Sequence, residues 1–195
     1  MSTINGKVCV VDGVTVDKVF SDDKQVYGRN LYIDTKDFNN PGAWTNWVNW
    51  QKTEEKINGL TVMRRSGDWN GLGQTIQAKK GEIYTFSLYA RYESGTGKST
   101  MYFAPSGTYS TSPGDAAFSL NETWQRLTVT FTITADGPIS PRIERTNNNT
   151  NTLLIAGLKP EKGSVATPYS IAPEDILKGD INAPKNLVES QSYLK

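Results

Sequence analysis

EIYTFSLYARY, residues 82–92, alternates large apolar and small or polar side chains. Tyr84, Phe86, Leu88 and Ala90 fall on one face, and Thr85, Ser87 and Arg91 on the other. A period of two is that of a β-strand with one face buried. WQRLTVTFTIT (124–134) repeats it, with Leu127, Val129, Phe131 and Ile133 inward and threonines outward. Shorter runs predict further strands at 60–65, 73–78, 99–104, 139–145 and 152–158. Glycine, asparagine, aspartate, serine and proline separate them, and helical periodicity is hard to find. Between two of these runs AKKGE gives a tight turn with Gly81 at positive φ. The pattern as a whole predicts an all-β protein, an antiparallel β-sandwich or barrel.

Residues 1–28 stand apart. VCVV-DG-VTV (8–16) is a strand pair around an Asp-Gly turn, and the turn at SDDK (21–24) leads into QVYG, giving a small N-terminal β-meander. So small a unit is unstable alone and is expected to pack on the main domain or on another subunit. The main domain is expected to span 29–172. Beyond Pro173, the polar stretch through Pro184 to residue 195 predicts a linker or tail.

Lysine plus arginine total 21 against 20 acidic residues. A chain so nearly neutral lacks the basic excess that phosphate backbones require, which excludes nucleic acid as the main partner. No apolar run approaches the roughly 20 residues needed to cross a bilayer. The N-terminus has neither a basic stretch nor a small-residue cleavage site, so no signal peptide is expected. Cys9 is the single cysteine, which leaves no intrachain disulfide and no cysteine metal cluster; its neighbours Val8 and Val10 make it an ordinary strand residue. Histidine is absent, which removes the commonest general base and the triads built on it.

Any hydrolysis would therefore rest on carboxylates. Glu54–Glu55 and Asp22–Asp23 are adjacent pairs whose members point to opposite faces of a strand, so neither pair flanks a glycosidic bond. Glu144 shares a face with Arg142, which an ion pair or a polar ligand contact explains as well as catalysis does. GTGKS (95–99) lacks the first glycine of a phosphate loop and the helix after it, and reads as a turn.

The aromatic residues say more. GAWTNWVNW (42–50) places Trp44, Trp47 and Trp50 in a connection broken by Pro41 and Gly42, and Trp69 sits in the polar loop SGDWNG (66–71). No strand packing accounts for them. Indole offers a broad apolar face and one hydrogen-bond donor, suited to the C–H face and hydroxyls of a sugar ring. The alternative is that these rings fold inward and cap the end of the sandwich. Were the run extended, Trp44 and Trp50 would share a face and Trp47 would take the other. The expectation taken forward places Trp44 and Trp47 in a loop edge with Trp69, and turns Trp50 inward.

NLYIDTKDF (30–38), NGLTVMRRSGDWNGLGQTI (58–76), KKGEIYTFSLYARYESG (79–95), ETWQRLTVTFTIT (122–134) and LLIAGLKPEKGSVATPYSIAPED (153–175) follow in order. Together they resemble the carbohydrate-binding-module-like β-sandwich domains of tailed-phage virion proteins, above all of phages infecting lactococci and streptococci. The resemblance covers about residues 29–175, and its closing stretch is the most specific. It implies a jelly-roll module on a tail, baseplate or other virion surface that binds host cell-wall polysaccharide without catalysis. It also implies synthesis in the host cytosol, contacts with other virion proteins, and a homo-oligomer or multicopy display. Carried over by position, Trp69, Trp44 and Trp47 are the aromatic candidates, with Arg64, Gln74 and Arg142 as polar candidates. No cofactor is implied beyond a structural calcium near the first strand, for which Asp34 and Asp37 are placed. The N-terminal meander resembles short attachment segments that precede such modules. A virion spacer without glycan binding, and a polysaccharide-degrading enzyme, are the competing classes.

Overall fold

The two long alternating runs pair with each other. The computed structural model describes residues 10–11, 14–105, 110–146 and 149–179. Its strands in chain order are β1 (Val10–Val11), β2 (Val14–Thr15), β3 (Lys18–Ser21), β4 (Lys24–Gly28), β5 (Gln51–Ile57), β6 (Leu60–Arg65), β7 (Ile76–Ala78) and β8 (Ile83–Tyr92). There follow β9 (Gly97–Tyr102), β10 (Thr111–Ser112), β11 (Asp115–Leu120), β12 (Gln125–Ile133), β13 (Gly137–Ile139), β14 (Arg142–Arg145) and β15 (Leu153–Lys162), then the helix α1 (Pro173–Gly179). A six-stranded antiparallel sheet runs β10-β12-β8-β15-β6-β5, opposite a three-stranded sheet β11-β9-β14 and the pair β13-β7.

The core lies between these layers, and the alternation seen in the sequence supplies it. Tyr84, Phe86, Leu88 and Ala90 of β8, with Leu127, Phe131 and Ile133 of β12, meet Met101 and Ile143 of the smaller sheet. Phe131 stacks on Phe103 with ring centroids 4.3 Å apart. Each such side chain contributes about 1.5–3 kcal/mol by leaving water, so the fold is an antiparallel β-sandwich for the reason the period of two gives.

β15 breaks the alternation once. Its register against β8 slips between Ala156 and Lys159, where Gly157 takes φ +61°. One inserted residue reverses the parity of everything after it. Leu158 thereby turns into the core, and Lys159 and Glu161 turn outward. Both are nonetheless fully buried, because β4 and the segment 163–170 lie over them. Gly28 donates its N–H to Thr167 Oγ1 at 3.0 Å, and a Cβ there would fall 1.7 Å from Glu161 Oε2. The N-terminal hairpin β3-β4 is thus fastened to the outer face of the six-stranded sheet. β1 pairs with β2; Cys9 and the Asp12–Gly13 turn lie outside the described residues.

β5, β10 and β11 fall outside the predicted strands, and two predicted stretches are built otherwise. The run 139–145 is divided, Ile139 ending β13 and Arg142 opening β14. Residues 173–179, expected to begin a linker, form α1, whose Asp175 accepts the backbone N–H of Asp34 at 2.7 Å; residues 180–195 lie outside the described residues. No helix among the described residues is long and apolar enough to cross a membrane.

The turn before β8 carries a pH signature. The Glu82 carboxylate accepts the Lys79 N–H at 2.9 Å, the Tyr84 hydroxyl at 2.8 Å and Lys162 Nζ at 2.9 Å. The Lys79 N–H first, then Lys162 and Tyr84, hold its pKa down at about 2 against 4.5 when free. A depressed carboxylate stabilises the fold fully above its free pKa and loses that contribution as pH falls through the folded value. The stability difference between wild type and Glu82→Gln is therefore expected to be flat above pH 4.5 and to close towards pH 2. Denaturant titrations across that window measure it, and a difference independent of pH would contradict the assignment.

Candidate functional site

The outer face of the three-stranded sheet is set by the same parity. Met101 and Ile143 point inward, so their neighbours Tyr102, Arg142 and Glu144 point out. Tyr102 pairs across strands with Arg142, and Thr100 with Glu144. Beside them the chain forms an open cleft of about 410 Å³ lined by Trp69, Asn46, Thr75, Ser140, Arg142 and Glu144.

Trp69 is the exposed indole of this cleft, at 43% exposure. Its ring lies 6.4 Å from that of Tyr102, tilted by 47°. Trp69 and Asn70 both adopt left-handed backbone, φ +51° and +53°, a conformation that costs a non-glycine residue roughly 1–2 kcal/mol. The surroundings fix it. Trp69 donates its N–H to Arg145 O at 2.8 Å, and its own carbonyl accepts Arg65 Nε at 2.7 Å. Arg65 also donates to Asn49 O at 2.9 Å and to Asp68 O, while Arg145 pairs with the Asp68 carboxylate. Gly71 lets the loop lie against β14, since a Cβ there would sit 2.7 Å from Ile143 O. Trp69 is thus an exposed aromatic held in a sparsely populated backbone conformation by buried partners.

The polar side of the cleft is ordered and electrically balanced. Arg142 Nε bonds Glu144 Oε1 at 2.7 Å, and Arg142 Nη1 donates to Ala104 O at 2.9 Å and Ser140 O at 3.1 Å. The guanidinium lies 5.6 Å from the Tyr102 ring centroid. Glu144 Oε1 also accepts the Gly71 N–H at 3.1 Å. Burial first, then the charges of Glu144 and Asp115, raise the Tyr102 pKa, so its hydroxyl stays protonated and can donate. A flat apolar ring beside hydrogen-bonding groups of cancelling charge suits a neutral polyhydroxylated ligand.

Of the six sequence candidates, the structure brings Trp69 and Arg142 together. It corrects the others. Trp44 is buried in the core at 6% exposure, packed edge-on against Tyr32 at 5.9 Å, with Nε1 bonded to Asp34 Oδ2 at 3.2 Å. Trp47 is half-buried against the core and does not line the cleft. The segment coils through two 3₁₀ turns, Pro41–Ala43 and Trp47–Asn49, so strand parity does not govern it. Gln74 is buried, its amide closed on the Ile33 backbone at 3.1 and 2.6 Å. Arg64 lies on the outer face of the opposite sheet, bonded to Glu93 at 2.9 Å. Trp50 turns inward at 5% exposure, and its Nε1 braces the Trp69 loop through Asn70 O at 2.9 Å.

Tyr102 was not singled out from the sequence, although the alternation of STMYFA places it opposite Met101 and Phe103 and so on the solvent side. Asp34 and Asp37, placed for calcium, line one small pocket with Asn39 and Asp175. Asp34 is engaged by the N–H groups of Asn39 and Asn40, at 2.8 and 2.7 Å, and by Trp44, while Asp37 faces Lys56 at 4.0 Å. Among the described residues no three acidic, histidine or cysteine side chains gather where they could hold a metal ion.

Solved structures similar to this chain include a family 4 carbohydrate-binding module (TM-score 0.47, 16% identity, covering 67% of this chain and 94% of that one). A family 16 carbohydrate-binding module gives TM-score 0.48 at 18% identity, with 67% and 99% covered. The enzymatically active domain of tailspike protein 4 of bacteriophage CBA120 gives 0.47 at 11%, with 69% and 21% covered. No curated protein matches the chain in sequence. A family model described as a carbohydrate binding domain matches residues 30–150, more than half of the 195 residues, and the chain belongs to that family.

Proposed function

We propose that this chain is a non-catalytic adhesion module of a tailed-phage virion, displayed on tail, baseplate or capsid, that binds host cell-wall polysaccharide in the Trp69 cleft. The observation that carries the binding is Trp69 itself, exposed, strained and braced beside Tyr102 over a charge-balanced cleft. The virion setting rests on the motif resemblance, strongest in GLKPEKGSVATPYSIAPED, and extends to synthesis in the host cytosol and contacts with other virion proteins. Among the described residues lining the cleft, Glu144 is the one carboxylate, and it is bonded to Arg142. Glycoside hydrolysis in its usual form needs two carboxyl groups about 5–10 Å apart.

One cleft of this kind binds weakly. Ring burial contributes a few kcal/mol and association entropy offsets much of it, which gives micromolar to millimolar affinity per site. Useful adhesion then comes from many copies on one particle. Titration of the chain with cell-wall polysaccharides of lactococci and streptococci tests this, in monovalent and bead-displayed multivalent form. Saturable binding strengthened by display is expected; no binding in either format to any of them would overturn the adhesion reading.

A further inference from the structure

On the side of the sandwich away from the cleft, the hairpin β3-β4 and the start of β8 enclose a second, shallow groove of about 500 Å³. Its walls are Phe20, Ile83 and Val165, exposed by 60%, 42% and 43%; Lys18, Glu82 and Lys162 flank them, and Lys162 is held by Glu82 at 2.9 Å. Scattered exposed apolar residues are ordinary, but several meeting in one groove mark an interaction surface. The hairpin is fastened at its base, where Gly28 packs against Glu161 and Thr167.

The charges around this groove identify the occupant. Asp22 and Asp23 form the exposed tip of the same hairpin, with Lys18 and Lys162 beside the apolar walls. A patch that joins an apolar centre to both signs of charge complements itself under a two-fold rotation, which is what an isologous contact requires. The chain's net charge of +1 sets up little repulsion between copies. We propose that this face is a contact between two copies of this chain. Phe20 of each hairpin enters the groove of its partner, and the Asp22–Asp23 tip meets the partner's Lys18. The Trp69 cleft, on the opposite sheet, stays open in both copies. The inference gives the multicopy reading a contact surface and does not depend on glycan binding.

Sedimentation velocity of the full chain, from about 10 µM to about 1 mM, spans the range expected of a small interface. A reversible dimer is expected. Phe20→Glu and Val165→Glu should each weaken it by about tenfold or more, with circular dichroism unchanged because both side chains are exposed. Asp22→Lys/Asp23→Lys and Lys18→Glu should each self-associate poorly and associate when mixed. A chain that stays monomeric throughout would overturn the proposal and leave the saccharide reading untouched. So would a dimer indifferent to both Phe20→Glu and Val165→Glu, which would place the contact on another face.

Discussion

Lys159→Met is expected to destabilise the fold by about 3–5 kcal/mol, the cost of leaving a buried charge without its partner. Lys159 and Glu161 are both fully buried, with Lys159 Nζ 3.5 Å from Glu161 Oε2. The ammonium donates to Thr167 Oγ1 at 2.6 Å and Pro168 O at 2.7 Å. Glu161 accepts the Thr167 N–H at 2.9 Å and its hydroxyl at 2.6 Å. Burial pulls the Lys159 pKa down to about 8, outweighing the opposite pull of Glu161, so the cation itself is held at a cost. Buried pairs of this kind commonly add little net stability over an apolar pair of similar volume. Lys159→Met/Glu161→Gln should therefore recover part of what the single substitution loses. Denaturant unfolding of the three proteins decides it, and a single-variant loss below about 1 kcal/mol would fall outside the range for a broken buried pair. The β3-β4 hairpin, latched through Gly28 to Thr167, should loosen in the same variant.

Trp69→Ala is expected to cut saccharide affinity by about thirtyfold. An aromatic side chain of roughly 200 Å² with 43% still exposed offers about 85 Å² for a ligand to cover. At about 25 cal/mol per Å² that amounts to about 2 kcal/mol. The buried remainder of the ring, about 115 Å², sets a stability loss of about 3 kcal/mol by the same conversion, so circular dichroism is read alongside to show that the variant is folded. Arg64→Ala, on the opposite sheet, should leave binding as it is. Isothermal titration with any polysaccharide retained by wild type separates these outcomes, and a loss below about threefold for Trp69→Ala would remove the indole from the site.

The sandwich was legible because its evidence is local. The period of two in 82–92 and 124–134 names the buried faces directly, and Gly81 at φ +87° follows from the turn it occupies. Trp69 was legible for the opposite reason, a large apolar residue in a loop with nothing local to bury it. The tryptophan run was not, because its geometry comes from two 3₁₀ turns and Asn46 at φ +59°, which the residues do not announce. Arg64 and Arg65 show the limit most plainly. They are neighbours on one strand, yet Arg65 braces the cleft from within and Arg64 faces the other side of the protein. Which face of β6 meets the smaller sheet is fixed by its register with β15. The bulge at Gly157 hides in the same way, since one inserted residue reverses parity without altering composition.

The central claim is that saccharide lies against Trp69, and an NMR titration of the wild-type chain with cell-wall polysaccharide fragments tests it most directly. The Trp69 indole N–H signal and the amides of Asn70, Tyr102 and Arg142 are expected to shift together and saturate, while those of Arg64, Phe20 and Trp44 stay in place. Shifts confined to the outer face of the six-stranded sheet, with the Trp69 signals unmoved at saturation, would contradict it.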